Sequence, residues 1–358
     1  MKKGCFLLLV LIALMSCNKN DDSSNQTDGI SIETQEEWLI PQIEVKDGGA
    51  GRDGIPSIGN PEFIVDPGVN FGGLSDDELV VGIYFEGEAR AYPHYILDWH
   101  EIVNDVVGND PIALSYCPLT GTAFAWERES ENSNSTYGVS GFLYNSNLLL
   151  YDRKTESLWS QLKLQCVYGE RVGDRPAMYN VVETDWRTWR KMFPETLVLS
   201  DDTGFSRNYD VYPYGDYKTN HNYFFYLPAP FDRRLPSKKR VYAIIDGDKS
   251  KVYQFEDFTG GNAIIDTFND KEYLIVGDEH IINSFALTQD NEGLTFEYEL
   301  SESGGFFRDN LGTVRSAFGD VISGSQGNLG DYLTPATSTV SFWFAIGAFY
   351  PNSEIFQP

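Results

Sequence analysis

Short sequence blocks in the second half of the chain repeat blocks of the first half at a nearly constant spacing. Gly87 lies in VGIYFEGEARAY and matches Gly247 in VYAIIDGDKSKVY, 160 positions further on. The other matches are Asn109-Asp110 with Asn269-Asp270 at 160 positions, and Trp186 with Trp343 and Pro194 with Pro351 at 157 positions. Self-similarity of this kind predicts an internal duplication that gives two related lobes.

The first copy carries reactive side chains that the second copy lacks. His100, in YILDWHEIVND, falls on the Gly260-Gly261 pair, and Cys117, in SYCPLTGTAFAW, falls on another glycine. Trp159 and Gln161, in SLWSQL, also have no counterpart of the same type. We therefore expect a single functional site in the first lobe near His100 and Cys117, with the second lobe as a degenerate repeat that supports it.

Short β-prone runs around glycine turns predict a mainly β fold with a few short helices. One hairpin is expected over residues 79–92, with its turn at Gly87. A second hairpin is expected over residues 112–126, where residues 117–121 form the turn and place Cys117 at its mouth.

Two of the helices can be placed from the sequence. Pro93 is expected to open a helix that runs to Val103, on which the spacing of Ile96, Trp99 and His100 turns the imidazole inward. A second helix is expected over residues 185–193, with Thr184 as its N-cap and Pro194 after its end.

The N-terminus has the pattern of a bacterial lipoprotein signal. MKKGCFLLLVLIALMSC combines two lysines, an apolar run too short to span a bilayer and a small residue before Cys17. The interpretation is a signal peptide over residues 1–17, lipidation of Cys17, and insertion of that lipid into the bilayer. An ordinary signal peptide is the alternative. The protein is then expected on the bacterial outer membrane, periplasmic or surface-exposed.

The remaining chain divides into three segments. Residues 18–33 are polar and acidic and predict a disordered tether. The first lobe, with the site, is predicted over residues 34–232, and the second lobe over residues 233–358. The formal net charge of -26 and the pI of about 4.4 make nucleic acid a poor partner and favour cationic ligands or metal ions.

Two cysteines remain in the predicted mature domain. Cys117 and Cys166 would lie in an oxidising compartment, where a disulfide between them is one alternative. In the other alternative Cys166, in the strand-like segment KLQCVYGE, is a buried small apolar residue. The sequence leaves both open.

Several blocks carry a resemblance to a known family. The chain contains GEARAYPHYIL, WHEIVND, SYCPLTGTAFAW, DTGFSRNYDVYPYGDY and DRRLPSKKRV in this order. Over about residues 50–358 it resembles the bacterial domain-of-unknown-function family DUF3179, which implies no established activity. Some members have a C-P-L-C-G turn. Here Thr120 replaces the second cysteine, which disfavours a dithiol or a zinc knuckle.

Metal binding is one hypothesis for the site. A thiolate at Cys117 and an imidazole at His100 are ligands that a copper or zinc ion prefers. A third ligand would have to come from His94, Asp152 or His221.

Thiol catalysis is a second hypothesis. Cys117 would be the nucleophile and His100 the base, with Asp152 or Asn104 to orient the imidazole.

The hypothesis favoured is a ligand-binding module. Asp152, Arg153, Trp159, Gln161 and Arg207 would line a groove for a small molecule, a sugar or a peptide. The alternatives are that His100 is a hydrogen-bonded core residue and that Trp159 fills the core.

Overall fold

The computed structural model describes residues 37–65, 74–129, 135–324 and 332–358. The predicted signal peptide, the lipidation candidate Cys17 and the predicted tether lie outside the described residues. Among the helices of the described ranges, none is long and apolar enough to cross a membrane.

The first half of the described chain, up to residue 232, is built from short strands and two helices. Its elements are β1 (Val45–Asp47), β2 (Phe63–Ile64), β3 (Leu79–Phe85), β4 (Glu88–Pro93), α1 (His94–His100), β5 (Ile102–Val107), β6 (Asp110–Cys117), β7 (Thr122–Glu127), β8 (Tyr137–Tyr144), β9 (Asn147–Asp152), β10 (Leu158–Ser160), β11 (Gln165–Tyr168), β12 (Met178–Tyr179), β13 (Val182–Asp185), α2 (Trp186–Met192) and β14 (Leu197–Leu199).

The second half, from residue 233, continues in the same style. Its elements are β15 (Arg240–Asp246), β16 (Lys249–Tyr253), β17 (Asn262–Phe268), β18 (Lys271–Gly277), β19 (Ile282–Ala286), β20 (Phe296–Tyr298), β21 (Phe307–Asp309), β22 (Val314–Arg315), β23 (Val321–Ser323), β24 (Ser338–Phe342), α3 (Trp343–Phe349) and β25 (Glu354–Ile355). Short 3-10 helices cover Gln42–Glu44, Phe255–Phe258 and Gln289–Asn291. The predicted mainly β fold with a few short helices is confirmed.

The strands pair in the same order in the two halves. The first half has sheets β13-β3-β4-β14-β2, β12-β7-β6-β5 and β1-β8-β9-β10-β11. The second half has sheets β24-β15-β16-β25, β17-β18-β19 and β20-β21-β22-β23. The first sheet of each set contains one parallel pair at the same place, β4 with β14 and β16 with β25. This order agrees with a duplication, which itself stays a prediction.

The strand pairing shows that the two turns at Gly87 and Gly247 are one residue further apart than the two glycines are in the sequence. Phe85 pairs with Glu88, and Asp246 pairs with Lys249. The enclosed two-residue turns therefore begin at positions 86 and 247, which are 161 rather than 160 apart. Gly87 is the second residue of its turn and Gly247 the first of its own, and both have positive φ, of 84° and 65°. Matching the glycines by sequence thus misplaces the turns by one residue.

Both helix predictions need correction at their ends. Helix α1 ends at His100 because Glu101 has φ 57° and leads directly into β5, so Val103 is a strand residue. The N-cap of α2 is Asp185 rather than Thr184, since the Asp185 carboxylate accepts a hydrogen bond from the Thr188 N–H at 2.8 Å. The two predicted hairpins are confirmed.

Side chains from both halves share one core around the turn between β6 and β7. Cys117 and Trp159 belong to the same buried cluster as Val241 and Trp343. Phe342 on β24 donates its N–H to the Thr120 carbonyl at 2.7 Å. The second half therefore packs against the turn that carries Cys117.

The two described cysteines are both free and buried. The disulfide alternative is therefore wrong. Cys166 lies on β11, where its thiol donates to the Tyr168 carbonyl at 3.4 Å. It occupies the buried strand position that the other alternative predicted.

Candidate ligand-binding site

A cavity of about 410 Å³ lies between the end of α1, strand β8 and the long loop after β14. Such a volume suits a small organic molecule. Most of its wall is aliphatic or aromatic. The lining residues are Gly48, Ala50, Gly54, Ile55, Asp98, Trp99, Glu101, Leu119, Val139, Gly141, Phe142, Leu143, Leu148, Arg207, Pro213, Tyr214, Phe225 and Tyr226.

Glu101 places a buried carboxyl group in this wall. Its backbone N–H closes α1 by donating to Leu97, and its carbonyl accepts from the Tyr116 N–H at 2.6 Å, so the residue is fixed at both ends. The side chain is buried, and the Tyr214 hydroxyl donates to it at 3.3 Å. Burial raises the pKa of Glu101 to about 8, with a further contribution from the charge of Asp98. A left-handed glutamate with such a pKa is typical of functional positions.

Asp98 contributes a second carboxyl group one turn earlier. Lys218 donates to its Oδ2 at 2.8 Å, while no donor within the described ranges reaches the buried Oδ1. Burial raises the pKa of Asp98, although Lys218 acts in the opposite direction. The Lys218 ammonium also lies 4.2 Å from the centre of the Tyr212 ring. The loop after β14 therefore brings a cation to one of the two carboxyl groups.

Aromatic side chains surround the mouth of the cavity. The Trp99 indole is held by a hydrogen bond from Nε1 to the Val211 carbonyl at 3.1 Å. The Arg207 guanidinium lies 5.8 Å from the centre of the Trp99 ring. Phe142 and Phe225 are 41% and 43% exposed, which is unusual for phenylalanine. The opening is therefore apolar on its outer surface, with one arginine beside it.

Cys117 interacts electrostatically with Glu101 but does not line the cavity, and it is 1% exposed. It ends β6, and its carbonyl accepts from the Gly121 N–H at 2.8 Å to close the turn. The thiol donates to the Ser146 carbonyl at 3.8 Å. Burial raises the pKa of the thiol to about 11, with a contribution from Glu101. Cys117 is therefore a protonated thiol at neutral pH, with no access to solvent.

His100 is fully buried, as the sequence predicted, but both ring nitrogens have oxygen partners. Nδ1 donates to the Pro56 carbonyl at 2.7 Å, and Nε2 lies 2.7 Å from the Tyr209 hydroxyl. Because a carbonyl can only accept, Nδ1 carries the proton and Nε2 accepts from Tyr209. Burial lowers the pKa of His100. A neutral imidazole with both nitrogens engaged has no nitrogen left for Cys117.

The residues considered as a third metal ligand are dispersed. The His94 ring contacts the Tyr116 ring in a tilted arrangement with centroids 4.4 Å apart, and His221 accepts from the Lys238 N–H at 3.1 Å. Asp152 accepts from the Trp159 indole at 3.0 Å. In the part of the chain that the structure describes, no group of three or more His, Cys, Asp or Glu residues could hold a metal ion.

The predicted ligand-binding residues are divided among several places. Asp152 and Trp159 line a separate cleft of about 240 Å³, although Trp159 is 1% exposed. Arg153 donates to the Tyr137 carbonyl and to Asp53 outside both cavities. Gln161 is fully buried and bonds to core polar groups. Arg207 alone of the five lines the cavity of about 410 Å³ at the end of α1.

Asn104, considered as an orienter of His100, instead holds two strands together. Its amide donates to the Tyr137 carbonyl at 2.9 Å and accepts from the Tyr137 N–H at 2.8 Å. These two bonds join β5 to the start of β8. Asn104 is therefore a structural residue in the wall of the first half.

A buried lysine beside Cys117 was missed by the sequence interpretation. Lys238 is 4% exposed, and its ammonium lies 3.2 Å from the centre of the Tyr217 ring and 4.6 Å from the Phe224 ring. No hydrogen-bond acceptor among the described residues reaches this ammonium. Burial lowers the pKa of Lys238 to about 7. It occupies the junction between the two halves.

Asp98, Glu101 and Tyr214 were also missed. The block WHEIVND contains Glu101 next to His100, but an acidic residue after a short helix is ordinary in sequence. The signal was present in the comparison of the copies, because the glycine pair of the second copy falls on His100-Glu101.

The comparisons agree with the family that the sequence blocks indicated. The sequence model of the family described as "Protein of unknown function (DUF3179)" matches residues 52–353. None of the curated proteins and none of the solved structures matches the chain. The matched range includes the cavity floor and both halves, and the chain therefore belongs to the DUF3179 family.

Proposed function

We propose that this protein binds a small organic ligand in the cavity at the end of α1. The observation that carries the proposal is the buried carboxyl group of Glu101, held in a left-handed backbone conformation inside an apolar cavity of about 410 Å³. A buried carboxyl group and a strained backbone both destabilise the empty protein. Such groups are retained in proteins where a ligand or a reaction uses them.

A larger cavity of about 580 Å³ lies between the two halves, and it supports binding less well. Its lining includes Tyr84, Phe124 and Phe318 together with residues 334–338. Its one carboxyl group, Asp320, is half-buried and bonds to Ser316. Volume alone therefore favours the larger cavity, whereas the buried ionisable groups favour the smaller one. Buried ionisable groups indicate a binding cavity more specifically than volume does.

The two alternative functions have less support in the geometry. A thiol nucleophile needs an exposed thiolate beside a base, but Cys117 is buried with a raised pKa and His100 is engaged elsewhere. A copper or zinc site at Cys117 and His100 lacks a third described ligand close by. Ligand binding requires neither arrangement.

We further propose that the protein acts outside the cytoplasm as an outer-membrane lipoprotein attached through Cys17. The support is the sequence MKKGCFLLLVLIALMSC alone. Cells that express the full chain would be labelled with an alkyne analogue of palmitate. We expect label on the wild type and none on the Cys17→Ala variant. Equal labelling of the Cys17→Ala variant would contradict attachment at this residue.

A fragment screen by ligand-observed NMR tests the binding function. Val139→Phe should fill part of the cavity, because Val139 lines it from β8. Val106→Phe makes the same change at a position that is 46% exposed and outside the cavity. We expect fragments that bind the wild type and Val106→Phe but are lost in folded Val139→Phe. Fragments that bind all three proteins alike would contradict the assignment of the cavity.

A further inference from the structure

The floor of the cavity has more acidic than basic groups. Asp98 and Glu101 are both buried, and Lys218 binds Asp98. The hydrogen-bond partner of the Glu101 carboxyl group is the neutral Tyr214 hydroxyl. Among the residues that the structure describes, the Glu101 carboxyl group therefore has no cationic partner.

The walls near these carboxyl groups present aromatic rings. Trp99 and Tyr214 line the cavity directly, and Phe225 packs against Tyr214 with ring centroids 5.9 Å apart. Faces of aromatic rings attract cations. The protein already uses neighbouring rings in this way, since Arg207 lies over Trp99 and Lys218 over Tyr212.

From this arrangement we propose that the ligand is a protonated amine with an apolar body, and that Glu101 is its counter-ion. The proposal rests on the ligand-binding function above and names its chemical class of ligand. The amine would enter between Phe142 and Phe225, bury its apolar part against Leu119 and Leu148, and donate to the Glu101 carboxylate. The formal charge of -26 for the chain attracts cations to the surface and repels anions.

An anionic ligand fits the floor poorly. A carboxylate placed there would lie beside Asp98 and would raise the pKa of Glu101 further, and the Lys218 ammonium is already engaged with Asp98. The Arg207 guanidinium is exposed at the mouth and lies over Trp99 rather than over the floor. A neutral ligand would occupy the apolar part and leave Glu101 without a cation.

Binding of an amine should release a proton from Glu101. The empty site holds Glu101 largely protonated at neutral pH, and the charge of a bound ammonium would favour the carboxylate. The groups that face Glu101 are Asp98, Tyr214, Tyr212 and Cys117. Both tyrosine hydroxyls and the thiol stay protonated near neutral pH because burial raises each pKa. Lys218 neutralises Asp98. The released proton is therefore assigned to Glu101.

Isothermal titration calorimetry with three matched probes tests the proposal on the full chain. The probes are phenethylamine, phenethyl alcohol and phenylacetate, which share a phenyl ring and differ in charge. We expect phenethylamine to bind about 10- to 100-fold more tightly than phenethyl alcohol, from the strength of a hydrogen bond to a charged group. In Glu101→Gln this preference should disappear, whereas Glu297→Gln, at an exposed position in the second half, should keep it.

Proton release on binding is a second readout. If Glu101 had only a structural role, amine binding would release no proton from it. Titrations near pH 7 in two buffers of different ionisation enthalpy should show close to one proton released per phenethylamine bound. Glu101→Gln should release none.

The possible outcomes separate the two proposals. If the amine and the alcohol bind equally tightly, and Val139→Phe abolishes both, the cavity binds ligands but the amine assignment is wrong. Tighter binding of phenylacetate than of phenethylamine would also overturn it. If Val139→Phe changes the binding of none of the probes, the ligand-binding function of this cavity is itself contradicted.

Discussion

The residue directly before β5 and the residue directly before β17 both have positive φ but differ in type. Glu101 directly precedes β5 with φ 57°, and Gly261 directly precedes β17 with φ 95°. Glycine adopts positive φ without a steric penalty, whereas a glutamate there is strained. The second half therefore has the residue that the turn favours. The first half has a residue that destabilises the turn and lines a cavity.

The difference between these two turn residues points to the proposed site better than the chemical reactivity of the side chains does. Cys117 and His100 are the more reactive side chains, but both are buried and fully engaged in hydrogen bonds. Glu101 is a common residue type whose position is unusual. A residue that violates the preference of its own backbone, while the matching position of the other half obeys it, supports the proposed site.

The largest expected effect on the free energy of unfolding concerns Gly82, a second position at which the two halves can be matched. Gly82 on β3 pairs with Ala91 and Val182, and a Cβ atom there would lie 2.1 Å from the buried Trp189 ring. Gly82→Ala should therefore lower the free energy of unfolding by about 3 kcal/mol or more, as overpacking of a rigid core does. Urea denaturation of wild type and variant measures it.

The second half provides the control for this position. Ala243 on β15 holds the matching place, paired with Val252 and Thr339, and the fourth residue of α3 is Ile346 where α2 has Trp189. Ala243→Gly removes one methyl group and should lower the unfolding free energy by only about 1 kcal/mol. The combined Gly82→Ala and Trp189→Ile variant should recover part of the loss. Equal losses at Gly82 and Ala243 would contradict the structural match.

The next effect concerns the dependence of stability on pH. Glu101 has a pKa of about 8 in the folded protein and an ordinary value of 4.5 when unfolded. Between these values the folded state keeps a proton that the unfolded state releases, so stability falls as pH rises and is constant above about pH 8. Glu101→Gln removes this loss of stability at high pH, because glutamine does not titrate. Its stability relative to wild type should increase by about 2 kcal/mol or more between about pH 5 and about pH 8.

Denaturant unfolding at both pH values provides the measurement, and Glu297→Gln is the control. Because Glu297 is exposed, this variant should follow the wild type at every pH. A Glu101→Gln variant that also follows the wild type would show that Glu101 is ionised in the empty protein. The proton release assigned to amine binding would then be excluded as well.

Local sequence signals predict much of the fold. The errors of these predictions have identifiable physical causes. The hairpins at Gly87 and at Cys117 could be predicted because turn residues and β-prone runs are contiguous. The end of α1 could not, because a positive φ at Glu101 depends on the strand pairing that follows. The Asp185 cap was missed by one position since Thr184 is also a good capping residue.

The sequence hypothesis and the proposed cavity both point to the first half, and the hypothesis stays a prediction. The composition of the cavity depends on contacts between distant segments. Glu101 meets Tyr214, and Asp98 meets Lys218, over separations of more than one hundred residues. No periodicity or spacing reports such contacts. The inward orientation of His100 could be predicted because it depends only on helical spacing, and it is confirmed.

The junction between the halves should respond to pH in the opposite direction from Glu101. Burial lowers the pKa of Lys238 to about 7 from an ordinary value of 10.5, so the folded state loses stability as pH falls through this range. Lys238→Met should therefore gain about 1 to 2 kcal/mol over wild type near pH 7, reduced by the lost ring contacts, and less near pH 10. Thermal denaturation at the two pH values measures this. A gain that increases with pH would show that folding stabilises the charged form of Lys238, and would contradict the lowered pKa.

The smallest expected effect tests the difference between Glu101 in the first half and Gly261 in the second. Glu101→Gly gives the first half the residue that the second half has at this turn, and so removes both the strained φ and the buried carboxyl group. Glu86→Gly, at an exposed turn residue with φ 50°, removes the strain alone. We expect Glu86→Gly to change the unfolding free energy by less than about 1 kcal/mol, since relief of strain is offset by the flexibility of glycine in the unfolded chain. Glu101→Gly should gain about 1 kcal/mol more than Glu86→Gly near pH 8, where the buried carboxyl group destabilises most, and should bind phenethylamine no better than phenethyl alcohol. If both variants change stability equally, the carboxyl group contributes nothing to the difference between the halves, and the comparison reduces to backbone strain.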